Sequence, residues 1–285
     1  LQAVSYEFQS KLGNLLGKRT YQYFLVANGI IGPVLLGAAV ATFFNGSNFV
    51  VSKGNITQEA MPVISQWANG WHGLDALLDL WNVVLGLAVL FLSRCLGILY
   101  FINNVSDAEL LPRFRRRLMI ESVCFVVFFV PFVIYVLLKD GFAVDAASGS
   151  IVMESYKYFH NLMAMPWVLG LFLLGVVAVL FGLGRSILCA TYNKGIWFAG
   201  VGTVLAVLAL LLTVGYNNTA YYPSAADLQS SLTLSNSCSS LFTLKTMAYV
   251  SVFIPFVLAY IIYAWRAIDR KPITADEMKE SDHAY

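Results

Sequence analysis

Residues 113–138 read Arg113-Phe114-Arg115-Arg116-Arg117, then Leu118-Met119-Ile120-Glu121-Ser122-Val123-Cys124-Phe125-Val126-Val127-Phe128-Phe129-Val130-Pro131-Phe132-Val133-Ile134-Tyr135-Val136-Leu137-Leu138. The apolar part has the length of about 20 residues that a helix needs to cross a bilayer core. A block of four arginines stands at one end only. Working outward, stretches of the same kind cover residues 21–44, 74–101, 162–184, 196–215 and 246–265. The chain therefore reads as an all-α, polytopic membrane bundle of six transmembrane helices.

The basic residues set the orientation. Lys11, Lys18, Arg19, Arg94, Arg113, Arg115, Arg116, Arg117, Arg185, Lys194, Arg266, Arg270, Lys271 and Lys279 fall before the first span, after the sixth, or in every second connection, Arg94 in the last turns of the second span leading into one. The remaining connections hold Lys53, Lys139, Lys157 and Lys245. The bias changes sign at each span, so the positive-inside rule puts both ends and the 113–117 loop in the cytoplasm. Apolar residues make up 59% of the chain and charged residues 12%, about half the charge of a soluble domain. A net charge of +2, already explained by topology, gives no footprint for nucleic acid. Cys95, Cys124, Cys189 and Cys238 are far apart, and no disulfide framework is expected.

The ionisable residues inside or beside spans are the candidates for function, because charge within a bilayer is costly. Asp75 and Asp79, four residues apart, are expected to share one face of the second span. Asp79 is the deepest acid by sequence position and a candidate for an internal partner or a proton path. Glu121 lies one turn inside the third span, in reach of Arg117. The cluster Arg113, Arg115, Arg116 and Arg117 reads as a topology determinant, with anionic lipid or a partner subunit as further contacts. His72 and His160 are both expected at the outer ends of spans and could clamp a haem; equally, each adjoins a polar connection and can face water. No His-x-x-x-His pair and no phosphate-cradling Gly loop is present. Gly29, Gly32 and Gly37 make a small-residue stripe suited to close helix packing. Pro33 and Pro131 are expected to kink their helices. The sequons Asn55-Ile56-Thr57 and Asn217-Asn218-Thr219 are too common a pattern to use.

The C-terminal third narrows the reading. Ser230-Ser231-Leu232-Thr233-Leu234, Ser239-Ser240-Leu241-Phe242-Thr243-Leu244-Lys245-Thr246-Met247, Pro255-Phe256-Val257-Leu258-Ala259-Tyr260 and Tyr263-Ala264-Trp265-Arg266 closely resemble the end of subunit II of cytochrome bd quinol oxidase. Tyr222-Pro223-Ser224 resembles the family's entry to this loop, and Ser5-Tyr6-Glu7-Phe8-Gln9-Ser10-Lys11 its cytoplasmic segment after the second helix. Leu74-Asp75-Ala76-Leu77-Leu78 matches a family motif in part, with Ala76 where the family often has Pro.

The resemblance implies an eight-helix subunit of which six helices are present, the missing pair preceding Leu1. On that reading residues 1–20 are a cytoplasmic lead-in and 21–117 hold two helices of an incomplete N-terminal bundle. Residues 118–270 then form a four-helix bundle and 271–285 a cytoplasmic tail. It further implies a haem-free membrane subunit, without catalytic residues of its own, that stabilises the haem-bearing subunit I. Haem b and haem d are expected in that partner, quinol is the substrate of the complex, oxygen is reduced to water, and the bacterial inner membrane is the location. The residues alone leave open a small secondary transporter or permease, which discontinuous helices and a mid-membrane charge pair would favour.

The topology is directly testable. Reporter fusions at Ser148 are expected to report the outer side, and fusions at Asp107 and Asn193 the cytoplasm. A reversed signal at any one site breaks the six-span assignment.

Overall fold

The computed structural model describes residues 2–9, 16–52 and 64–268. Lys11, Lys53, the 55–57 sequon and the expected tail 271–285, with His283, lie outside the described residues. The elements in order are α1 (Gln2–Phe8), α2 (Lys18–Asn45), β1 (Phe49–Val51), β2 (Ser65–Trp67), a 3-10 turn (Leu74–Leu78), α3 (Leu80–Asn104), α4 (Leu110–Leu138), β3 (Gly141–Val144), β4 (Ile151–Glu154), α5 (Lys157–Ala164), α6 (Pro166–Leu188), α7 (Gly195–Leu212), a second 3-10 turn (Leu228–Ser230), α8 (Leu241–Ser251) and α9 (Ile254–Ile268). Among the described residues, six helical segments are long and apolar enough to cross a membrane: α2, α3, α4, α6, α7 and the α8–α9 stretch Leu241–Ile268. The chain is a polytopic helical membrane protein, as the hydropathy pattern requires. Its strands form two small antiparallel hairpins, β1–β2 and β3–β4.

Several span ends differ from the sequence expectation. The second span starts at Leu80, not at residue 74, because Asp79 is extended and caps α3, its carboxylate accepting from Trp81 N and Asn82 N. Asp75 sits in the preceding 3-10 turn, so the two acids do not share a face of one helix. The third span extends back to Leu110 and takes all four arginines of the basic block into its first turns. Leu162 belongs to α5, and the fourth span begins at Pro166. Proline suits that first position, where its missing N–H would have no helical partner. Pro33 and Pro131 lie inside continuous helices. The sixth span is divided by a turn at Val252 and Phe253, just before Pro255.

Close backbone approach at glycine joins the helices in pairs. A Cβ on Gly37 of α2 would stand 2.7 Å from Gly86 Cα of α3. Between α6 and α7, a Cβ on Gly175 would meet Ala206 N at 2.5 Å, and one on Gly202 would meet Gly175 O at 2.6 Å. Without a hydrophobic drive between helices in lipid, such approach supplies the dispersion contact that holds them. At Gly29 and Gly32, by contrast, an added Cβ would have nothing within 4 Å. Aromatic rings join α3 to α4, with Trp81 stacked on Tyr135 at 4.1 Å and Phe91 on Phe128 at 5.6 Å. These two helices thus meet along their length, across the boundary drawn at residue 117. The core between them contains Leu85, Leu99, Phe125 and Phe132, with Val179 and Leu183 of α6 against it.

The sixth span does not pack inside a bundle running from residue 118. No residue of α8 or α9 is buried; an edge contact of Trp265 with Tyr100 of α3, 6.2 Å between ring centres, touches it to the rest. Lipid is as good a solvent for such a helix as its own chain is.

The glycine contacts give a measurable contrast. Gly175→Leu and Gly202→Leu are expected to force α6 and α7 apart at about 1–3 kcal/mol, lowering the melting temperature of the detergent-solubilised protein. Gly97→Ala and Gly170→Ala, where a Cβ meets nothing within 4 Å, should match or exceed the wild type. Equal melting of both pairs would contradict the close crossing.

Candidate functional site

Polar groups collect at the two ends of the bundle. At the basic end the side chain of Glu121 is 3% exposed. Its Oε1 accepts from Arg94 Nη2 at 2.6 Å and from Arg117 Nε at 3.0 Å. Arg117 comes from the preceding turn of α4, as the spacing predicts, while Arg94 reaches across from α3. A carboxylate at this depth stands only with such partners. Arg94 Nε beside it is buried without a hydrogen-bond partner among the described residues.

The four arginines of α4 divide by their phase around the helix. Arg115 projects into the turn between α6 and α7. There its guanidinium donates to the carbonyls of Ser186, Cys189 at 3.0 Å and Ala190 at 2.7 Å, and to Asn193 Oδ1 at 2.9 Å. These carbonyls end α6 and have no helical donors, and a cation suits the negative end of a helix. Arg115 and Arg117 are thus structural ties. Arg113 and Arg116 are exposed, with no ion-pair or hydrogen-bond partner among the described residues.

At the other end, three helix termini share one network. Asn45 Nδ2 of α2 donates to Asn82 Oδ1 of α3 at 2.7 Å, and Asn82 Nδ2 donates to Ala76 O at 2.9 Å. Tyr135 Oη donates to Asn45 Oδ1 at 3.1 Å. Lys139, just past α4, donates to Asn45 Oδ1 and to Phe44 O, both at 2.8 Å. Burial lowers the Lys139 ammonium from 10.5 to about 8, Asp79 and Asp140 acting in the opposite sense. Asp75 accepts from the amides of Asn48 and Asn69, which hold its carboxyl below the usual value.

The two histidines have different polar neighbours. His72 Nδ1 lies 2.8 Å from Gly70 O, beside a crevice of about 460 Å³ that Trp67, Thr42 and Tyr222 also line. His160 Nδ1 lies 3.3 Å from Glu154 Oε1 on the β3–β4 hairpin. Among the described residues no contact joins them, and no group of three or more His, Cys, Asp or Glu could hold a metal.

The segments that suggest a family from the sequence are neighbours in space. Ser224 N donates to Ser231 Oγ at 3.0 Å, and Leu232 N donates to Tyr222 O at 2.8 Å. Ser224 Oγ donates to Phe49 O of β1, and Ser230 Oγ accepts from Val51 N at 2.9 Å. Ser240 then caps α8 by accepting from Thr243 N at 3.3 Å. The profile of the family described as cytochrome bd terminal oxidase subunit II matches residues 1–268. The chain belongs to this family. It is similar to the cytochrome bd-I ubiquinol oxidase subunit 2 of Escherichia coli strain K12, at 24% identity over 99% of this chain and 73% of that relative. The counterpart from Escherichia coli O157:H7 matches to the same degree.

For a member of the subunit II family, what sequence reasoning misses is the partners rather than the charges. By sequence Arg94 and Lys139 are only charges that set the topology; in the fold each closes a polar cluster. A lone amide in an apolar run, such as Asn82, is the available signal, since buried amides in lipid seek partners across helices.

The Glu121 cluster makes an asymmetric prediction. Arg94→Gln leaves the buried carboxylate with Arg117 alone and should cost about 1–3 kcal/mol. Glu121→Gln should cost less, because its partners Arg94 and Arg117 are 39% and 59% exposed and can rehydrate. Melting temperatures in detergent should therefore rank R94Q below E121Q. The opposite order would contradict an ionised Glu121 held by Arg94.

Proposed function

We propose that this chain is subunit II of a cytochrome bd-type respiratory terminal oxidase. The complex oxidises quinol and reduces oxygen to water. This subunit is its haem-free partner, stabilising the subunit I that holds haem b and haem d. It lies in the bacterial inner membrane with its basic connections in the cytoplasm. The observation that carries the reading is the family match over residues 1–268, nearly the whole chain. That the relatives belong to a ubiquinol oxidase supports the substrate.

The surface supports a role in assembly. Residues of α8 and α9 are unburied, Gly29 and Gly32 of α2 face open space, and Leu241, Phe242, Phe253 and Phe256 are all more than half exposed. Hydrocarbon-depth surface of this kind accepts a partner helix as readily as lipid. Glu121 and Asp79 serve packing and capping, which leaves the chemistry to the partner.

Affinity purification of the tagged chain from native membranes is expected to bring down a haem-bearing membrane protein with quinol-dependent oxygen uptake. His72→Ala with His160→Ala should leave every haem absorption band of that complex in place. Purification without a haem protein, together with solute uptake by the chain in liposomes, would replace this reading with the permease.

A further inference from the structure

The split among the arginines of α4 leaves two guanidiniums unused, and they stand above a furrow. Between α4 and α6 an apolar groove of about 330 Å³ is lined by Met119, Val123 and Val127 on one side and Leu183, Gly184 and Ile187 on the other. It runs on into a second apolar cavity of about 270 Å³, with Val126 and Leu180 common to both. Arg113, Arg116, Met119 and Val123 follow one another at three- and four-residue spacing, so they form one row along α4. Arg116 stands one turn outside the mouth of the furrow and Arg113 one turn further. The acids nearby, the half-buried Asp107 and the exposed Glu109, precede α4, and Asp107 accepts from Glu109 N and Leu110 N. Among the described residues neither acid pairs with Arg113 or Arg116.

We propose that this furrow is a phospholipid site, with the phosphate of an anionic glycerophospholipid on Arg116, assisted by Arg113, and one acyl chain laid between α4 and α6. Three observations fix the occupant. The guanidinium forks are free, and their geometry matches a phosphate in two-pronged hydrogen bonding. The walls are apolar, which suits an alkyl chain and excludes water. The distance also agrees: from Met119 to Phe129, which lines the second cavity, is ten residues, roughly 15 Å of helix. That is half of a hydrocarbon core of about 30 Å, the reach of a chain from one leaflet.

Head and tail can be tested separately, because Gly184 offers a clean way to fill the furrow. A Cβ there meets nothing within 4 Å, so Gly184→Leu places its side chain in the groove without displacing backbone. The full chain in its native membrane complex is purified and exchanged into detergent containing either palmitoyl-oleoyl phosphatidylglycerol or palmitoyl-oleoyl phosphatidylcholine. Native mass spectrometry then counts the lipid retained on this chain. Wild type should keep one more phosphatidylglycerol than phosphatidylcholine. Arg116→Gln should weaken phosphatidylglycerol retention about fivefold, the effect of one basic residue at a membrane surface. Arg113→Gln should weaken it less, and Arg116→Lys should keep most of it. G184L should remove the extra lipid while all four arginines remain. Equal retention of the two lipids by wild type, full retention by R116Q, or full retention by G184L each overturns the site. Absence of any retained lipid in wild type overturns it as well.

Discussion

Glu121 is a carboxylate buried inside a membrane helix, and the arrangement of the basic end follows from the need to neutralise it. Its counter-charges come from two places, Arg117 one turn away and Arg94 on the neighbouring helix. The Arg94 contact fixes the axial position of α3 against α4. Once α4 has that position and rotation, the directions of its other arginines are decided by the 3.6-residue period. Arg115 then falls on the α6–α7 turn and secures the second helical pair through the carbonyls at the end of α6. Arg113 and Arg116 fall outward. One acid thus orders a block of like charges that would otherwise be interchangeable.

The opposite end uses neutral acceptors for the same purpose. The C-terminal carbonyl of α2 at Phe44 takes hydrogen bonds from Lys139 and Tyr158, so a helix terminus that lacks internal partners is satisfied from neighbouring elements. Between the two ends lie glycine contacts and stacked rings, which give close packing without polar groups. Polar ties at both membrane faces and an apolar middle is what lipid selects, since a polar tie at mid-depth risks an unpaired partner.

The spans are legible because hydropathy and length are properties of the chain alone. The alternation of Lys and Arg gives a consistent orientation for the same reason. Glu121 with Arg117 is readable from a four-residue spacing within one helix, whereas Arg94 is not, because nothing in a sequence states which face of α3 meets α4. Asp79 misleads in the other direction: an acid after an apolar start reads as span, yet its side chain competes for the first backbone N–H groups and becomes a cap. Leu162 misleads similarly, since a short amphipathic helix running into Pro166 has the composition of a longer span. The Ser-rich segment at residues 230–240 is informative as a resemblance, and its physical role as a clasp on β1 is visible only with the fold.

That clasp has a consequence for how the protein is made. The bond between Ser224 and Phe49 joins residues 175 apart in the chain. At about 5–20 residues per second, the ribosome needs roughly ten to thirty seconds to supply the second partner after the first. During that interval the segment around residues 47–51 has followed α2 with this edge unpaired. Four more helices must be inserted before its partners arrive. Integration of the early spans and closure of this end of the bundle are therefore separate events in time, and any chaperone or protease that reaches the segment in the interval meets it in its open form.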